Sequence, residues 1–449
     1  MGMIRSREDM NAYRTHARRG SLLIGAGGLV VLVSVTLIAA YFLHVQDATA
    51  AGGAVGPVAV AAKTGESPAP AAGAAAAPGD PVAITFDKKT VTRTWADLGM
   101  SAGGTFDRTK AEAGLLALKH ELDRAPTNAR MDLERRKIHK DEPGWGIDVY
   151  ASLSAIEAAA RSGADKLELE GAAIPPSFTV KDLGIEDISV VLGHYSTTFP
   201  IAEKARNDNL KLLASHMDGV IIQPGQEISF NAISGDRTEK EGYKVAHVIT
   251  AGEMVDGMAG GSCQISTTLH AAAFFGGLKI TDTTPHSRPS VYVPLGLDST
   301  VVYPTKGAAG TDLKIKNPYS FPVAIRYRVA RGEAEVEILG KEKPFDKIEF
   351  IREVVEQKPF DTVTREDDTI GVGHMVIDQP GFPGYKMFRY RNIYKGGKII
   401  DKDKWTLNYK PVVEYVRMGV NPDPNLPAPK EKNAHMPKPA KGSTMKIVQ

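Results

Sequence analysis

The sequence predicts an α+β protein with a single N-terminal transmembrane helix. Three observations support this fold class: an apolar run near the N-terminus, alternating helix and strand patterns in the middle of the chain, and strand patterns alone towards its end. A length of 449 residues allows about three folded units. Because 55 Lys and Arg nearly balance 53 Asp and Glu, we expect no basic surface and no nucleic-acid partner.

The apolar run extends from Leu22 to Val45 and contains no Asp, Glu, Lys or Arg. About 20 such residues cross a bilayer as a helix, so we assign a transmembrane helix to 21–45. Five arginines precede the run, which places the basic segment 1–20 in the cytoplasm and the bulk of the chain outside it. A cleaved signal peptide is the alternative, because residues 48–50, Ala-Thr-Ala, have the form of a processing site.

Composition and patterning divide the rest of the chain into five stretches. Residues 46–81 are dominated by Ala, Gly, Pro and Val, which predicts a flexible linker. Residues 82–182 combine helix and strand patterns, as in a small α+β domain. In residues 190–343 the helix patterns come first along the chain and the strand patterns follow. Residues 345–420 alternate apolar and polar side chains between glycine turns, which indicates an all-β module, and the Pro- and Lys-rich residues 421–449 predict a disordered tail.

Apolar periodicity and capping residues locate the helices in the two central stretches. Helices are expected at 107–124, 148–163, 207–217 and 262–275. Short β-rich segments follow the last of them, including 290–295 and 299–304. Trp95 and Trp145 would either contribute to the core, as tryptophans more often do, or stack on sugar faces.

The chain's one cysteine, Cys263, opens a predicted helix directly after Gly260 and Gly261. A lone thiol in an exported chain cannot form an internal disulfide, so it is either a packed side chain or a functional group. The free N–H groups and dipole at a helix N-terminus favour a thiolate. The glycines would let a substrate approach the backbone, and the Cys263 N–H would contribute to an oxyanion hole.

A nucleophilic thiol needs a base, and two histidines follow it. His270 lies about 10.5 Å further along the same helix, too far for a direct hydrogen bond. His286 is expected on a β segment that returns beside the helix N-terminus, with Asp298 one hairpin later to orient it. Arg288 is placed to bind a substrate carboxylate. The alternative is a packed cysteine and a surface histidine.

No metal or cofactor is expected. The eleven histidines are scattered, without an H-E-x-x-H motif or a close Cys/His pair. A thioester would also store the energy of the cleaved bond, so an acyl transfer at the cysteine needs no nucleotide.

Several segments resemble the VanW family. They include "GGSCQISTTLH" at 260–270, "PHSRPSVYVPLGLDSTV" at 285–301 and "DLKIKNPYSFPVAI" at 312–325. Residues 82–182 are similar to a peptidoglycan-binding domain that often precedes the VanW domain, and residues 345–420 resemble a G5 domain. Members with such a preceding domain are assigned as L,D-transpeptidases that cross-link peptidoglycan through a cysteine.

The resemblance implies a site and a reaction. Cys263 would attack the third residue of a tetrapeptide stem, expel the terminal D-residue and transfer the acyl group to an amine of a second stem. His286 would act as base and acid, oriented by Asp298. Substrate binding is assigned to Gly260, Gly261, Gln264, Ser266, Thr267, Arg237 and Arg288. Two departures from the family pattern are His270, where an aromatic residue is usual, and His247.

The partners implied are peptidoglycan stem peptides and glycan, and the membrane through the N-terminal helix. The predicted location is the bacterial cytoplasmic membrane, with the bulk of the chain in the periplasm or cell wall. With water as the acceptor, the same site would be a carboxypeptidase. The alternative from another class is a non-catalytic protein of the envelope that binds peptidoglycan as a scaffold.

Overall fold

The computed structural model describes residues 75–250, 253–307, 309–429 and 441–449. These ranges contain 23 β-strands, six α-helices and one 3-10 helix. With 42% strand and 19% helix the protein is mostly β, so the predicted α+β class is wrong. The reason is that many strands are only two to four residues long, too short to show periodicity, and that long strands fill the chain beyond residue 345.

The predicted location in the cytoplasmic membrane is corrected as well. Within the described ranges, no helix combines the length and the apolar sequence needed to cross a bilayer. The segment from which that helix was predicted, 21–45, lies outside the described residues, as do the segment 1–20 and most of the linker 46–81.

The first folded part contains short strands around two long helices. Its elements are β1 (Pro81–Phe86), β2 (Lys89–Thr94), α1 (Arg108–Leu122), β3 (Arg130–Asp132), β4 (Lys137–His139), β5 (Gly144–Ile147), α2 (Val149–Ser162), β6 (Lys166–Glu168), β7 (Gly171–Ile174) and α3 (Val180–Leu183). Asp107 and Asp148 accept backbone N–H groups at the starts of α1 and α2, which caps both helices. Trp95 lies in the core, whereas Trp145 is 36% exposed.

The central part contains the cysteine helix. Its elements are β8 (Val190–Thr198), α4 (Lys204–Met217), β9 (Ile221–Ile222), β10 (Glu227–Ser229), α5 (Phe230–Ser234), a 3-10 turn (Glu239–Glu241), β11 (Val245–Thr250), β12 (Glu253–Met258), α6 (Ser262–Phe275), β13 (Lys279–Asp282), β14 (Lys314–Lys316), β15 (Val323–Ala330) and β16 (Glu333–Gly340). An antiparallel sheet of order β8-β16-β15-β9 supports α6 and α4.

The residues between β13 and β14 contradict the expected strands at 290–295 and 299–304. They are irregular apart from single bridges, which join Thr284 to Thr300 and Val302 to Thr311. Prolines at 285, 289, 294 and 304 have no backbone N–H for a ladder, which explains why the β-rich composition forms no strand here. His286 therefore lies in an irregular segment and not on a strand.

The last part is all β. Its strands are β17 (Lys347–Lys358), β18 (Thr362–Gly371), β19 (Met375–Gln379), β20 (Gly384–Lys395), β21 (Lys398–Tyr409), β22 (Glu414–Asn421) and β23 (Thr444–Val448). They form sheets of order β21-β20-β17-β23 and β18-β22-β19. Residues 421–449 were predicted to be a disordered tail, but 444–448 form β23, which pairs with β17. These residues alternate in a strand pattern and occupy the edge of the sheet beside β17.

The central and last parts share one apolar cluster, which we call the shared cluster. Its buried members are Phe274, Phe275, Val293, Leu297, Phe345, Ile348, Phe350 and Ile393. Two of these belong to α6, two to the irregular segment and four to the β-rich last part. The end of the cysteine helix is therefore packed directly against the C-terminal sheet.

Candidate active site

Helix α6 begins at Ser262, directly after the glycine pair. Gly261 has a φ of +108°, a left-handed conformation that disfavours other residues. A Cβ at this position would lie 2.8 Å from Cδ2 of Leu210 on α4. Glycine is therefore needed where the chain enters α6, because the backbone angle and the neighbouring helix leave no room for a side chain.

Replacement of Gly261 by alanine is expected to destabilise the protein by about 1–3 kcal/mol, from backbone strain and the close contact together. The midpoint of thermal unfolding should fall. Gly225→Ala is a matched control, since its φ is +73° but an added Cβ would meet nothing within 4 Å. Equal losses in both variants would show that the contact with Leu210 does not contribute.

Cys263 differs from the rest of its helix in exposure. Every other residue of α6 is buried, whereas Cys263 is partly exposed. The helix is thus covered on both faces. The Sγ of Cys263 lies 3.5 Å from the carbonyl oxygen of Val301, to which the thiol donates.

His286 and Cys263 are close enough for each side chain to shift the pKa of the other. Its Nδ1 lies 3.0 Å from Oδ2 of Asp298, and the same oxygen accepts the His286 backbone N–H at 2.7 Å. The hydroxyls of Ser290 and Tyr292 lie 3.3 Å from Nδ1 and 3.4 Å from Nε2. Because Asp298 occupies Nδ1, Nε2 is the nitrogen that serves the thiol. The structure thus brings together the three residues assigned to catalysis from the sequence.

The surroundings favour an ionised thiol and imidazole. Burial raises the pKa of the Cys263 thiol, but the hydrogen bond and charge of His286 outweigh it and leave that pKa below its ordinary value. Burial opposes protonation of His286, but Tyr292, Asp298 and Cys263 together raise its pKa well above the ordinary value. Burial also raises the pKa of Asp298, but hydrogen bonds from His286 bring it to about 2. Both shifts favour the thiolate–imidazolium pair over the neutral thiol and imidazole.

The two arginines assigned to a substrate carboxylate have different surroundings. Arg237 Nη2 donates to Asn231 Oδ1 at 2.6 Å, and its charge contributes to lowering the pKa of Cys263. The guanidinium carbon of Arg288 lies 6.0 Å from the ring centre of Phe382, in the last part of the chain. Burial lowers the pKa of both guanidinium groups. Arg237 is the one that interacts electrostatically with the thiol.

Gln264 and Gly260, also assigned to substrate binding, have partners inside the protein. Gln264 accepts from Arg206 at 2.6 Å and donates to Thr197 at 2.9 Å. The carbonyl of Gly260 accepts from Asn209 Nδ2 at 3.2 Å. These bonds fix the first turn of α6 to α4 and β8.

Ser266 and Thr267 join α6 to the residue after Asp298. Ser266 donates to Ser299 Oγ at 3.1 Å, and Thr267 Oγ1 accepts the Ser299 backbone N–H at 3.0 Å. Both side chains are buried. The hydrogen bonds of Ser266 and Thr267 hold the segment that carries Asp298 at a fixed distance from α6.

His270 is buried and does not contact the thiol. Its Nδ1 lies 2.8 Å from the carbonyl oxygen of Leu297. Burial and the nearby Arg389 lower the pKa of His270 to about 3, so the ring is neutral and Nδ1 donates. His247, the other histidine that departs from the family pattern, is exposed and pairs with Asp256 at 2.9 Å.

A polar cleft of about 480 Å³ flanks the site. It is lined by Ser229, Asn231, Ala232, Asp282, Thr284, Tyr303, Pro304, Gly310, Thr311, Asp312 and Lys314. The Tyr303 ring centre lies 6.0 Å from the guanidinium carbon of Arg237. Thr284 lies two residues before His286. The cleft therefore adjoins Arg237 through Asn231 and Tyr303, whereas Cys263 and His286 are not among its lining residues.

Three side chains around the site were not identified from the sequence. Ser290 and Tyr292 lie within the "PHSRPSVYVP" stretch, so their closeness to His286 along the chain was an available signal. Tyr409 donates to Asp298 Oδ1 at 2.6 Å from a strand 111 residues further along the chain, and no local pattern indicates that contact.

Comparison with known proteins identifies the family of this chain. Residues 205–339 match the description "VanW like protein". Over 253 residues the chain is 31% identical to "Uncharacterized protein YoaR" of Bacillus subtilis (strain 168), which covers 56% of this chain and 81% of that protein. The chain belongs to the VanW family. In this VanW-family chain, residues 83–168 match "Putative peptidoglycan binding domain" and residues 351–421 match "G5 domain".

This order of segments is that of a VanW-like, cell-wall-associated protein with peptidoglycan-binding and G5 domains. Two solved structures match the C-terminal part at low similarity. "IgA1 Protease G5 domain structure" is 16% identical, covers 17% of this chain and 94% of its own, and has a TM-score of 0.12. "Crystal structure of HP0197-G5" is 19% identical, covers 17% and 100%, and has a TM-score of 0.11.

Proposed function

We propose that this VanW-family protein is a cysteine-dependent L,D-transpeptidase that acts on peptidoglycan stem peptides outside the cytoplasm. The observation that supports the proposal most strongly is a buried His286–Asp298 pair, with Nδ1 3.0 Å from the carboxylate, whose imidazole interacts electrostatically with the Cys263 thiol. Unrelated acyl-transfer enzymes activate their nucleophiles with this arrangement. The peptidoglycan-binding and G5 matches support a substrate in the cell wall.

In the acylation half-reaction, the Cys263 thiolate attacks the carbonyl carbon of the third stem residue. The negative charge passes to the carbonyl oxygen, where the Cys263 N–H at the start of α6 would stabilise it. The C–N bond to the terminal residue then breaks, and the His286 imidazolium gives its proton to the leaving amine. Asp298 keeps the imidazole oriented through Nδ1. The product is a thioester on Cys263 and a free terminal amino acid.

In the second half-reaction, an amine of a neighbouring stem attacks the thioester. Neutral His286 takes the proton of that amine, the C–S bond breaks, and a new amide forms as the thiolate is restored. Water in place of the amine would give a carboxypeptidase.

Arg237 is the residue we assign to a stem carboxylate. Its Nε is buried without a hydrogen-bond partner among the described residues, while Nη2 is fixed by Asn231. The rings of Phe230 and Tyr303 lie 5.4 and 6.0 Å from its guanidinium carbon and restrict its position. A fixed cation near the thiol would both bind an anionic substrate group and favour the thiolate.

The direct test is intact-protein mass spectrometry of the full-length protein incubated with disaccharide-tetrapeptide, beside Cys263→Ala. The wild type is expected to gain the mass of the donor without its terminal residue, and the variant to gain none. Cross-linked dimers should appear with the wild type alone. Cross-linking by Cys263→Ala at the wild-type rate would contradict the proposal.

A binding or scaffold role is the second candidate, favoured by the match at 83–168 and by the exposed ring of Trp145. In that case the thiol would be inert. Alkylation with iodoacetamide distinguishes the two, because an active-site thiolate reacts quickly near pH 7 and a packed thiol does not. Slow alkylation together with binding to insoluble peptidoglycan would favour the scaffold.

A further inference from the structure

The segment that carries Asp298 is held by the C-terminal β module. Polar side chains from three of the module's strands bind residues 295–298. They are Arg352 on β17, Arg389 on β20 and Tyr409 on β21. All three are buried. Each of these bonds spans more than 50 residues of chain, so the segment and the module are fixed to each other by tertiary contacts.

Tyr409 contacts the carboxylate itself. Its hydroxyl donates to Asp298 Oδ1 at 2.6 Å and accepts the Gly296 backbone N–H at 3.1 Å. Burial and the Asp298 charge raise the pKa of Tyr409 well above its ordinary value, so the hydroxyl remains a donor. Asp298 therefore uses its two oxygens differently: Oδ2 faces His286, and Oδ1 faces Tyr409 and Gly296.

Arg389 and Arg352 fix the backbone around this contact. Arg389 Nη1 donates to the Gly296 carbonyl at 3.0 Å and to His270 Nε2 at 3.3 Å. Neutral His270 in turn donates to the Leu297 carbonyl, which links the cysteine helix, the carboxylate segment and the module in one chain of bonds. Arg352 donates to the Leu295 carbonyl at 3.3 Å.

Gly296 permits this path of the backbone. Its φ of +98° is a left-handed conformation, and an added Cβ would lie 3.6 Å from atoms of Leu407 and Phe350. Both of those neighbours belong to the C-terminal module. The turn that aims Asp298 at His286 is therefore formed against the module's surface.

We infer that the C-terminal β module contributes a residue to the active site. Tyr409 is a positioning residue that holds Asp298 in the orientation that His286 requires. This inference rests on the proposed function. Without the Tyr409 hydroxyl, Asp298 would keep the backbone N–H groups of His286 and Gly296, but Oδ1 would lose its shortest hydrogen bond and the carboxylate would be held less firmly against Nδ1. The imidazole would then lose its orientation towards Cys263, and the thiolate would lose its fixed counter-charge.

The test replaces Tyr409 by phenylalanine in the full-length protein, which removes one oxygen and leaves the ring. The pH dependence of Cys263 alkylation by iodoacetamide reports the thiolate directly, without any substrate. The titratable and charged groups around Cys263 and His286 are Asp298, Tyr292, Arg237, Tyr409 and Arg389. In Tyr409→Phe the midpoint of this profile is expected to rise, and kcat for stem cross-linking to fall roughly tenfold with KM unchanged.

Tyr394→Phe is the matched control. Tyr394 lies in the same sheet and donates to the buried carboxylate of Glu349 at the same distance, 2.6 Å, but it has no contact with the site. This variant should show a wild-type alkylation profile and kcat. A Tyr409→Phe midpoint that is unchanged or lowered would overturn the inference.

The two proposals fail separately. If the wild type does not act on stem peptides but the alkylation midpoint still rises in Tyr409→Phe alone, the transpeptidase proposal fails and the positioning role stands. If the wild type forms the acyl-enzyme and Tyr409→Phe matches it in kcat and in midpoint, the positioning role is refuted and the proposed function stands.

Discussion

Replacement of His286 by glutamine is expected to reduce cross-linking by roughly 100- to 10,000-fold, the contribution of a positioned acid and base. Glutamine can still donate to Asp298, so the buried carboxylate keeps a partner, but it cannot carry a proton between the thiol and the leaving amine. The Cys263 thiol would also lose the charge that lowers its pKa. Alkylation of Cys263 at pH 7 should therefore slow sharply.

The pH profile gives a second readout of the same change. In the wild type the thiolate forms as pH rises through the lowered pKa of Cys263, and the imidazolium is lost as pH rises through the raised pKa of His286. Acylation should therefore peak between these two values, and His286→Gln should lose the peak.

His216→Gln is the control for this substitution. His216 is half-buried on α4, where its Nδ1 lies 3.1 Å from the Ser234 carbonyl oxygen, and it does not contact the thiol. Its replacement should leave the alkylation rate at pH 7 and the pH profile of acylation unchanged. Wild-type turnover in His286→Gln would exclude His286 as the base.

Replacement of Arg391 by methionine is expected to destabilise the protein by about 1–3 kcal/mol, the usual cost of leaving a buried hydrogen-bonding group without its partner. Arg391 is 2% exposed, and its Nη2 lies 2.6 Å from Asp403. Its Nη1 donates to the carbonyls of Phe274 and Leu278, at 3.3 and 2.6 Å, where α6 ends. Methionine would leave these carbonyls buried without this donor. A fall in the midpoint of thermal unfolding checks this prediction.

Arg417→Met provides the comparison in the same part of the chain. Arg417 also binds two carboxylates, those of Asp367 and Asp378, but its side chain is 36% exposed and water can replace the lost contacts. Its replacement should shift the unfolding midpoint far less. A shift as large as that of Arg391→Met would mean that burial of the ion pair is not what matters.

Local sequence signals predicted the cysteine helix well. The glycine pairs at 260–261 and 276–277 enclose α6, and the observed helix has the predicted bounds, Ser262–Phe275. The grouping of Cys263, His286 and Asp298 was a hypothesis from the sequence, with a packed cysteine and a surface histidine as the alternative, and the route between the three residues is irregular and not the expected hairpin. Apolar composition alone could not show that the prolines of this segment would prevent strand pairing.

Contacts between distant parts of the chain could not be predicted in this way. The overall class was wrong because short strands such as Ile221–Ile222 have no periodic signature. Gln264 was assigned to substrate because it matches a position of the family motif, whereas its amide is bound by Arg206 and Thr197 on other elements. The same limit applies to Tyr409, whose role depends on a fold that brings β21 to the carboxylate segment.

The shared cluster bears on how proteins of this kind diversify. Recombination between genes succeeds most readily where two folded parts separate without opening a core. A crossover between the segments matched at 205–339 and 351–421 would divide the cluster, separating Leu297 from Ile393. An incoming β module would have to restore those apolar contacts and supply a hydroxyl for Asp298. We therefore expect the two segments to be inherited together, as one unit of selection.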